Sequence, residues 1–246
     1  PGATGVDMIR HRALLVAGLV LLLTVVVQAD EPQPLTDAEK AEGFRALFDG
    51  KTLNGWRGFR KENVPDGWKV VDGAITRVGP GGDIITVDQF DQFEFRFQWK
   101  VDAGANSGVM YLVTEKHPNP WNTGPEYQIL DNAKHADGRN PKTSAASLYG
   151  LIAPREDVTR PVGEWNDAMI RIEGNRVEHW LNGVKVLEYQ KSGPEWDQMI
   201  AASKFRAMPD FAKPAKGHIC IQDHGDRVAF RALRIKPLGT AGGNAP

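Results

Sequence analysis

The sequence lacks several features that would assign it quickly to a functional class. It has a single cysteine, Cys220, which rules out an internal disulfide. Its 30 Lys and Arg residues nearly balance 31 Asp and Glu residues, and no basic run is present, so nucleic acid is not an expected partner. Glycine-rich phosphate loops, nucleophile elbows and paired-cysteine zinc motifs are also missing. Any chemistry must therefore come from side chains that the fold brings together.

No apolar run is long enough for a conventional membrane-spanning helix. The run at 13–27 has 15 residues, whereas a spanning helix needs about 20. A basic segment at 8–12 comes before it, and Val27-Gln28-Ala29 has the small residues that a signal peptidase reads. We therefore expect residues 1–29 to comprise upstream residues and a cleaved signal peptide. The protein would then be exported from bacteria, to the periplasm or outside the cell; a retained membrane anchor is the alternative.

Helical periodicity is scarce after residue 42, and short β-rich runs bounded by turn signals take its place. At 93–100, aromatic residues alternate strictly with polar ones, as expected of a strand with one buried face. Such runs predict an all-β jelly-roll sandwich, with a polar leader (30–42), one domain (43–238) and a flexible tail (239–246). The predicted strands lie at 68–71, 74–78, 93–101, 107–114, 126–130, 167–173, 176–181, 184–189, 218–222 and 228–236.

Two of these strands carry polar residues on the face opposite the core. At 126–130 and at 218–222, Ile and Tyr alternate with Glu, Gln, His and Cys. Long loops at 117–124 and 133–146 flank the first strand, and binding residues often lie on such loops. The pattern predicts a groove for a polar ligand. Its expected residues are Glu126, Gln128, Gln222 and His224, with His218 and Cys220 on the same face, and the expected core contains Phe93, Phe95, Phe97, Ile129, Ile219 and Ile221.

Six short motifs are spread along the domain. They are FDGKTLNGW at 48–56, NSG at 106–108, EYQILD at 126–131, GEWN at 163–166, LNG at 181–183 and QDHG at 222–225, the last followed by Phe230-Arg231. In this order they resemble the 3-keto-disaccharide hydrolase domain family over residues 43–238. One departure is Ala232, where the family pattern has Asn; we expect this position to lie on the last strand, away from the groove.

The resemblance implies a concanavalin-like sandwich, export from bacteria, and action on glycosides whose sugar ring is oxidised to a ketone at carbon 3. Such a ketone acidifies the hydrogen on carbon 2. A base can remove that hydrogen, the enolate can expel the aglycone from carbon 1, and water can then add. The site needs a base, a stabiliser of enolate charge and polar groups for the hydroxyls. It does not need the two opposed carboxylates of ordinary glycosidases.

The candidate residues can be assigned to these roles. We expect Glu126 to be the general base, with a surface ion pair as the alternative. His224 suits proton transfer near neutral pH or a divalent metal, which would be the only cofactor. Asp131 and His135 would complete a metal site with Glu126 and His224, or else serve as a loop cap and a solvated side chain. The expected substrate contacts are Gln128, Gln222, Asn106, Arg96, Tyr149 and Trp121, and Arg96 would stabilise the enolate oxygen.

Two other classes of function stay open at this point. A non-catalytic carbohydrate-binding module on the same sandwich needs amides and aromatic rings but no base, and the acidic and imidazole residues of the groove favour an enzyme over it. A protein-adhesion domain is the third reading, because a fold does not fix a function. The sequence leaves the linkage, the aglycone, the metal requirement and the oligomeric state open.

Overall fold

The computed structural model describes Gly2 and residues 34–239, and the expected signal peptide and most of the tail lie outside them. The described chain is an all-β sandwich of two antiparallel sheets, as predicted. Two helices are present, α1 (Asp37–Ala41) and α2 (Pro194–Ala201). The strands are β1 (Arg45–Ala46), β2 (Trp56–Gly58), β3 (Trp68–Val71), β4 (Ala74–Arg77), β5 (Ile84–Thr86), β6 (Phe93–Val101), β7 (Asn106–Val113), β8 (Glu126–Leu130), β9 (Asn166–Glu173), β10 (Arg176–Leu181), β11 (Val184–Gln190), β12 (His218–Ile221) and β13 (Val228–Pro237).

The two sheets differ in size. The larger has the order β11-β10-β9-β6-β13-β4-β3, with β1 added on β13, and the smaller has the order β2-β5-β12-β7-β8. Strand β8 is therefore an edge strand, with β7 as its one neighbour in the smaller sheet. The described part of the chain has no helix with the length and apolar character needed to cross a bilayer.

The core lies between the sheets and contains every residue expected there. Phe93, Phe95, Phe97, Ile129, Ile219 and Ile221 are at most 2% exposed. Tight hairpins at Asp72-Gly73 and Asn182-Gly183 join neighbouring strands, with φ of 50° and 72° in the first and 49° and 83° in the second. Both residues of such turns need a left-handed backbone, which Asp, Asn and Gly tolerate. The alternation of the sequence and its turn residues thus fix the register.

A buried hydrogen-bonded chain crosses the core and supports the loop beside β8. The Tyr111 and Tyr189 hydroxyls lie 2.7 Å apart, and the Tyr111 hydroxyl is 2.9 Å from Nε2 of His179. Burial lowers the pKa of His179 to about 4, so the ring is neutral, and its Nδ1 donates to the carbonyl of Ala146 at 3.1 Å. Ala146 in turn donates its N–H to the carbonyl of Gln128 at 2.8 Å. The core therefore fixes the position of the loop against β8.

The outer face of β12 is more buried than the sequence suggested. His218 is 4% exposed; its Nδ1 is 2.7 Å from the carbonyl of Thr86 and its Nε2 is 2.9 Å from the Gln89 amide. Cys220 is fully buried in a small cluster with Ile85, Met110 and Val113. Both residues therefore pack against protein, and the strand's contribution to an open groove comes from the residues that follow its end.

Candidate active site

A cavity of about 300 Å³ opens on the outer side of the smaller sheet, beside β7 and β8. It brings together seven of the residues predicted from the sequence, although they come from well-separated segments. The sheet and the segment after β12 supply amides, a carboxylate and an imidazole, and the loops supply aromatic and charged groups. The lining consists of Asn106, Trp121, Gly124, Glu126, Gln128, Asp137, Tyr149, Lys204, Phe205, Met208, Phe211, Gln222 and His224.

Glu126 begins β8 and is the most unusual group of the cavity. It is 9% exposed, and its carboxylate forms no hydrogen bond or ion pair with any described residue. Burial raises the pKa of this carboxyl to about 8; the positive charge of Lys204 opposes the rise, and Asp83 and Asp137 add to it. A carboxyl with this pKa can accept a proton near neutral pH and is a stronger base than an exposed one.

Gly108 makes the position of Glu126 possible. A Cβ on this residue would lie only 2.0 Å from Oε1 of Glu126, because the glutamate side chain crosses directly over the glycine of the neighbouring strand. Any other residue at this position would push the carboxylate away. The glycine of the NSG motif therefore has a steric role that its sequence context alone does not show.

Amide groups lie beside this carboxylate. Oε1 of Gln128 accepts from the N–H of Ile129 at 3.0 Å, so its NH₂ is the end left for a ligand. One end of the Asn106 amide lies 3.3 Å from Nε2 of His135, and the other end is buried without a partner. Gln222 is held by its backbone, which accepts from Ser107 Oγ at 2.8 Å and donates to the carbonyl of Gly108 at 2.9 Å. These groups can bind sugar hydroxyls without first breaking protein contacts.

Another part of the cavity lining is an apolar wall that also carries the charge of Lys204. Phe205, Met208 and Phe211 come from the segment after α2, and Trp121, which is 39% exposed, comes from the loop before β8. The loop and the segment are joined because Asp210 contacts both His117 at 2.7 Å and Lys116 at 2.8 Å. Flat aromatic faces opposite hydrogen-bonding groups are typical of carbohydrate sites.

Tyr149 and Asp137 occupy the side of the cavity next to Lys204. The Tyr149 hydroxyl is 3.4 Å from Oδ2 of Asp137, and the Lys204 ammonium lies 4.2 Å from the centre of the tyrosine ring. Burial, together with the charges of Asp137 and Glu126, raises the pKa of Tyr149 to about 12. The phenol therefore stays protonated at neutral pH and can act as a hydrogen-bond donor.

His224 and His135 meet at the mouth of the cavity. Their rings are in edge-to-face contact with centroids 5.7 Å apart, and Nδ1 of His224 lies 3.8 Å from Oδ2 of Asp226. The side chain of His224 is 45% exposed. His135 contacts Asn106 from behind and caps the 3₁₀ turn Ala136–Arg139 through its Nδ1. It thus supports the wall, and His224 faces a ligand more openly than Glu126 does.

Arg96, by contrast, does not reach the cavity, and the expectation that it stabilises an enolate there is wrong. It lies on β6 in the larger sheet, where it contacts Glu94 and covers the ring of Phe44 at 4.4 Å. The alternation along the strand correctly predicted that the Arg96 side chain points away from the core. It could not predict which sheet the strand belongs to, and therefore which of the two outer faces carries Arg96.

The suggested metal site is not assembled either. Asp131 accepts from the N–H groups of Gly104 at 2.8 Å and Ala133 at 2.9 Å, and it lines a separate cavity of about 620 Å³. Among the described residues, no group of three or more His, Cys, Asp and Glu side chains is placed to hold a metal ion. The capping alternative therefore describes Asp131 better than metal ligation does, whereas His135 is partly buried and not the solvated side chain that was the alternative for it.

Several cavity residues had no signal in the sequence. Asp137 lies in a loop that has no period, and the segment 204–211 is almost 80 residues from β8 along the chain. In the structure, α2 is followed by the 3₁₀ turn Lys204–Ala207. The one signal in the sequence that could have indicated this segment is its cluster of lysine and aromatic residues.

The chain is similar to several known proteins. A 3-keto-disaccharide hydrolase of Bacteroides thetaiotaomicron is 36% identical over 244 residues, which cover 86% of this chain and 84% of that protein. A crystal structure from Parabacteroides distasonis, provisionally named a glycosyl hydrolase, is 36% identical with a TM-score of 0.78 over 84% of this chain and 99% of that chain. A second protein of that organism, named likewise, is 28% identical with a TM-score of 0.62 over 79% and 99%.

The sequence pattern of one family matches residues 43–236, nearly the whole domain expected at 43–238. The match contains both sheets and every residue of the cavity lining. The chain therefore belongs to the 3-keto-alpha-glucoside-1,2-lyase-like domain family.

Proposed function

We propose that this protein is an exported enzyme that hydrolyses 3-keto-glycosides, such as 3-keto-disaccharides, with Glu126 as the general base. The observation that supports the proposal most strongly is the Glu126 carboxylate, which is buried in the cavity without a partner and has a pKa of about 8. The name of the Bacteroides thetaiotaomicron relative supports the same substrate class. The broader conclusion is that the protein hydrolyses a carbohydrate. The proposal is more specific, because it names 3-keto-glycosides as the substrates.

The reaction would proceed by elimination followed by addition of water. Glu126 takes the proton from carbon 2, and the electron pair of that C–H bond moves to the ketone, which becomes an enolate. Re-formation of the carbonyl makes a double bond between carbons 1 and 2, while the bond to the aglycone oxygen breaks and that oxygen gains a proton. Water then adds its oxygen to carbon 1, and carbon 2 regains a proton. The products are a free 3-keto sugar and the aglycone alcohol.

The other groups of the cavity fit this path. The Gln128 amide has its NH₂ group left for a ligand, and Asn106 lines the same cavity, where sugar hydroxyls need donors and acceptors. Trp121 offers a flat face at the opening of the cavity. His224, which is more exposed than Glu126, is suited to moving the leaving-group proton or to orienting water.

A non-catalytic binding module is a poorer fit to the same cavity. Burying a carboxyl without a hydrogen-bond partner costs free energy, and a binding site gains nothing from it that an amide would not provide. For a general base, the same burial is useful because it raises the pKa of the carboxyl toward the pH at which the enzyme works.

The direct test is incubation of the mature protein with a 3-keto-disaccharide and, in parallel, with the unoxidised parent sugar. We expect the aglycone to be released from the oxidised sugar and not from the parent sugar. Chromatography or mass spectrometry would detect the released aglycone. Repeating the assay with a chelator asks separately about a divalent cation. Cleavage of the parent at an equal rate, or binding of both sugars without turnover, would contradict the proposal.

Export rests on the sequence of residues 8–29 and needs its own experiment. N-terminal sequencing of the protein from its native cells should find Asp30, or a residue within a few positions of it, in a periplasmic or extracellular fraction. Recovery of chains that begin at Met8 in the membrane fraction would support a retained anchor instead.

A further inference from the structure

The displacement of Arg96 to the other sheet leaves open which group stabilises the enolate. Of the described residues that line the cavity, Lys204 alone is a lysine or arginine. A negative charge that develops on the ketone oxygen is stabilised most by a positive group or a strong donor that is already positioned beside it. Lys204 is therefore the first residue to consider.

The Lys204 side chain is held in place although it forms no ion pair. Its ammonium lies 4.2 Å from the centre of the Tyr149 ring and 5.3 Å from that of Phe205. Its Cε lies close to Gly150, where a Cβ would be 3.6 Å away. It forms no salt bridge with a carboxylate of any described residue. The ammonium of this exposed side chain is thus positioned by aromatic faces and left available to a ligand.

The backbone below this lysine is rigid as well. Lys204 begins a 3₁₀ turn whose next residue, Phe205, is 4% exposed and stacks on Phe211 with ring centres 4.0 Å apart. The N–H of Phe205 donates to Oγ of Ser203 at 3.1 Å, which caps the turn. A side chain mounted on such a turn starts from a fixed position and needs little reorganisation to meet a ligand.

Lys204 and Glu126 line the same cavity as unpaired opposite charges, without contact between them. They are too far apart for an ion pair, yet the lysine lowers the pKa of the glutamate against the effect of burial. Because neither group is the partner of the other, both are available to a sugar ring that binds in the cavity. We propose that Lys204 is a further catalytic residue that stabilises the developing charge on the ketone oxygen while Glu126 removes the proton from carbon 2. This inference rests on the proposed 3-keto-glycoside hydrolysis.

The division of labour follows from the charges alone. The proton travels from carbon 2 to the Glu126 carboxylate, and the negative charge that leaves the carboxylate reappears on the ketone oxygen. A fixed ammonium beside that oxygen stabilises the enolate more than the neutral ketone, so its effect falls mainly on kcat rather than on KM. Tyr149 contributes the ring under the ammonium, and its hydroxyl donates to Oδ2 of Asp137 at 3.4 Å.

Three variants test the role of Lys204 with the assay described above. Lys204→Met removes the charge and keeps the length of the side chain, and we expect kcat to fall by about 10²- to 10³-fold with little change in KM. Lys204→Arg keeps the positive charge but replaces the ammonium by a planar guanidinium. Because the charge is retained and only its position changes, we expect this variant to have at least roughly a tenth of the wild-type kcat. Arg206→Met is the matched control, because Arg206 is exposed on the same 3₁₀ turn and does not line the cavity.

A pH profile separates catalysis from a structural role. The base must be ionised, so the acid limb of kcat/KM follows the pKa of Glu126. The charged or ionisable groups around Glu126 are Lys204, Asp83, Asp137, Tyr149 and His224. Removing the lysine charge raises the pKa of the glutamate, so the acid limb of Lys204→Met should move to higher pH, while that of Arg206→Met stays in place. Thermal unfolding of all variants checks that the fold is retained.

The outcomes distinguish this inference from the proposed function. Turnover by the wild type together with an unchanged kcat in Lys204→Met would overturn the role of Lys204 and leave the function standing. A rise in KM alone would assign the lysine to binding and would also overturn it. Absence of turnover of any 3-keto-glycoside by the wild type would overturn both. A lowered kcat with a shifted acid limb, partly restored by arginine, supports both.

Discussion

Two glutamates on the outer faces of the two sheets are buried to a similar degree and have opposite surroundings. Glu94 on β6 is 4% exposed and contacts two guanidinium groups, Arg96 at 2.5 Å and Arg171 at 3.0 Å. Glu126 on β8 is 9% exposed and contacts none. Their cross-strand neighbours explain the difference, since Glu94 is paired with Arg171 and Glu126 with Met110.

The contrast teaches how to read a buried carboxylate. With two cations and adjacent strands on both sides, Glu94 binds the sheet together. On an edge strand, beside an apolar neighbour and over a glycine, Glu126 keeps a carboxylate that the fold itself does not use. Burial therefore has a structural meaning where partners are present, and a chemical one where they are missing.

The largest expected effect concerns turnover. Glu126→Gln should lower kcat for a 3-keto-glycoside by about 10²- to 10⁴-fold, because it removes the base and keeps the shape of the side chain. Glu94→Gln should leave kcat unchanged and lower the melting temperature, because Arg96 and Arg171 lose the negative charge of Glu94 between them. Steady-state rates and thermal unfolding of both variants check the contrast. Equal losses of kcat in the two variants would remove the distinction between the glutamates.

The second effect concerns the pH dependence of stability. The Glu126 carboxyl has its pKa raised from 4.5 to about 8 in the folded state, so the folded state binds more protons than the unfolded one in that range. Its contribution to stability is greatest below pH 4.5 and is lost as the pH rises toward 8. Glu126→Gln abolishes this loss, so between pH 4.5 and 8.5 it should gain about 4 kcal/mol in unfolding free energy relative to wild type. Urea unfolding at both pH values checks this, and parallel curves would refute the raised pKa.

A smaller effect is expected from the glycine beneath Glu126. Gly108→Ala places a methyl group where Oε1 of Glu126 lies, and the side chain has to move because the strand cannot. We expect kcat to fall by roughly 10- to 100-fold through misplacement of the base, with the sandwich intact by circular dichroism. Activity equal to wild type would mean that the carboxylate is not needed in this position.

The smallest expected effect lies in the larger sheet. Ala232 is at a bulge in β13 with φ of 54°, a left-handed backbone that Asn tolerates better than Ala. Ala232→Asn should therefore raise the unfolding free energy by about 0.5–1 kcal/mol without changing turnover. The resemblance led us to expect Asn here, and Ala232 lies in the larger sheet and not in the lining of the cavity. A loss of activity would show that this bulge affects the other sheet.

Much of this architecture could be predicted because alternation and turns are local. The ten predicted strands match observed ones within a residue or so at each end, whereas β2 and β5, with three residues each, are too short to show a period. Glu126, Gln128, Gln222 and His224 were found because the two strands and the turn after β12 display them in the sequence. Arg96 was misplaced because an outward residue looks the same on either sheet.

Lys204 and Asp137 could not be found in the same way. They reach the cavity through loops whose paths depend on long-range packing, and a loop has no period to read. Gly108 was recognised within a motif, but its reason depends on the register between β7 and β8, which sets the glutamate over it. The sequence thus predicts which side chains a strand places on its outer face. It does not predict which loop side chains pack beside them.

The apolar wall of the cavity continues into a column of stacked rings. Tyr189 stacks on Trp196 at 5.3 Å, Trp196 on Phe211 at 6.5 Å, and Phe211 on Phe205 at 4.0 Å. Since Tyr189 belongs to the buried hydrogen-bonded chain of the core, the wall is continuous with the core of the sandwich. Its amides should exchange with deuterium only when the whole sandwich opens, unlike those of a mobile lid. Substrates would then reach Glu126 through a permanent opening, and their association rate would be set by diffusion and fit rather than by a gating motion.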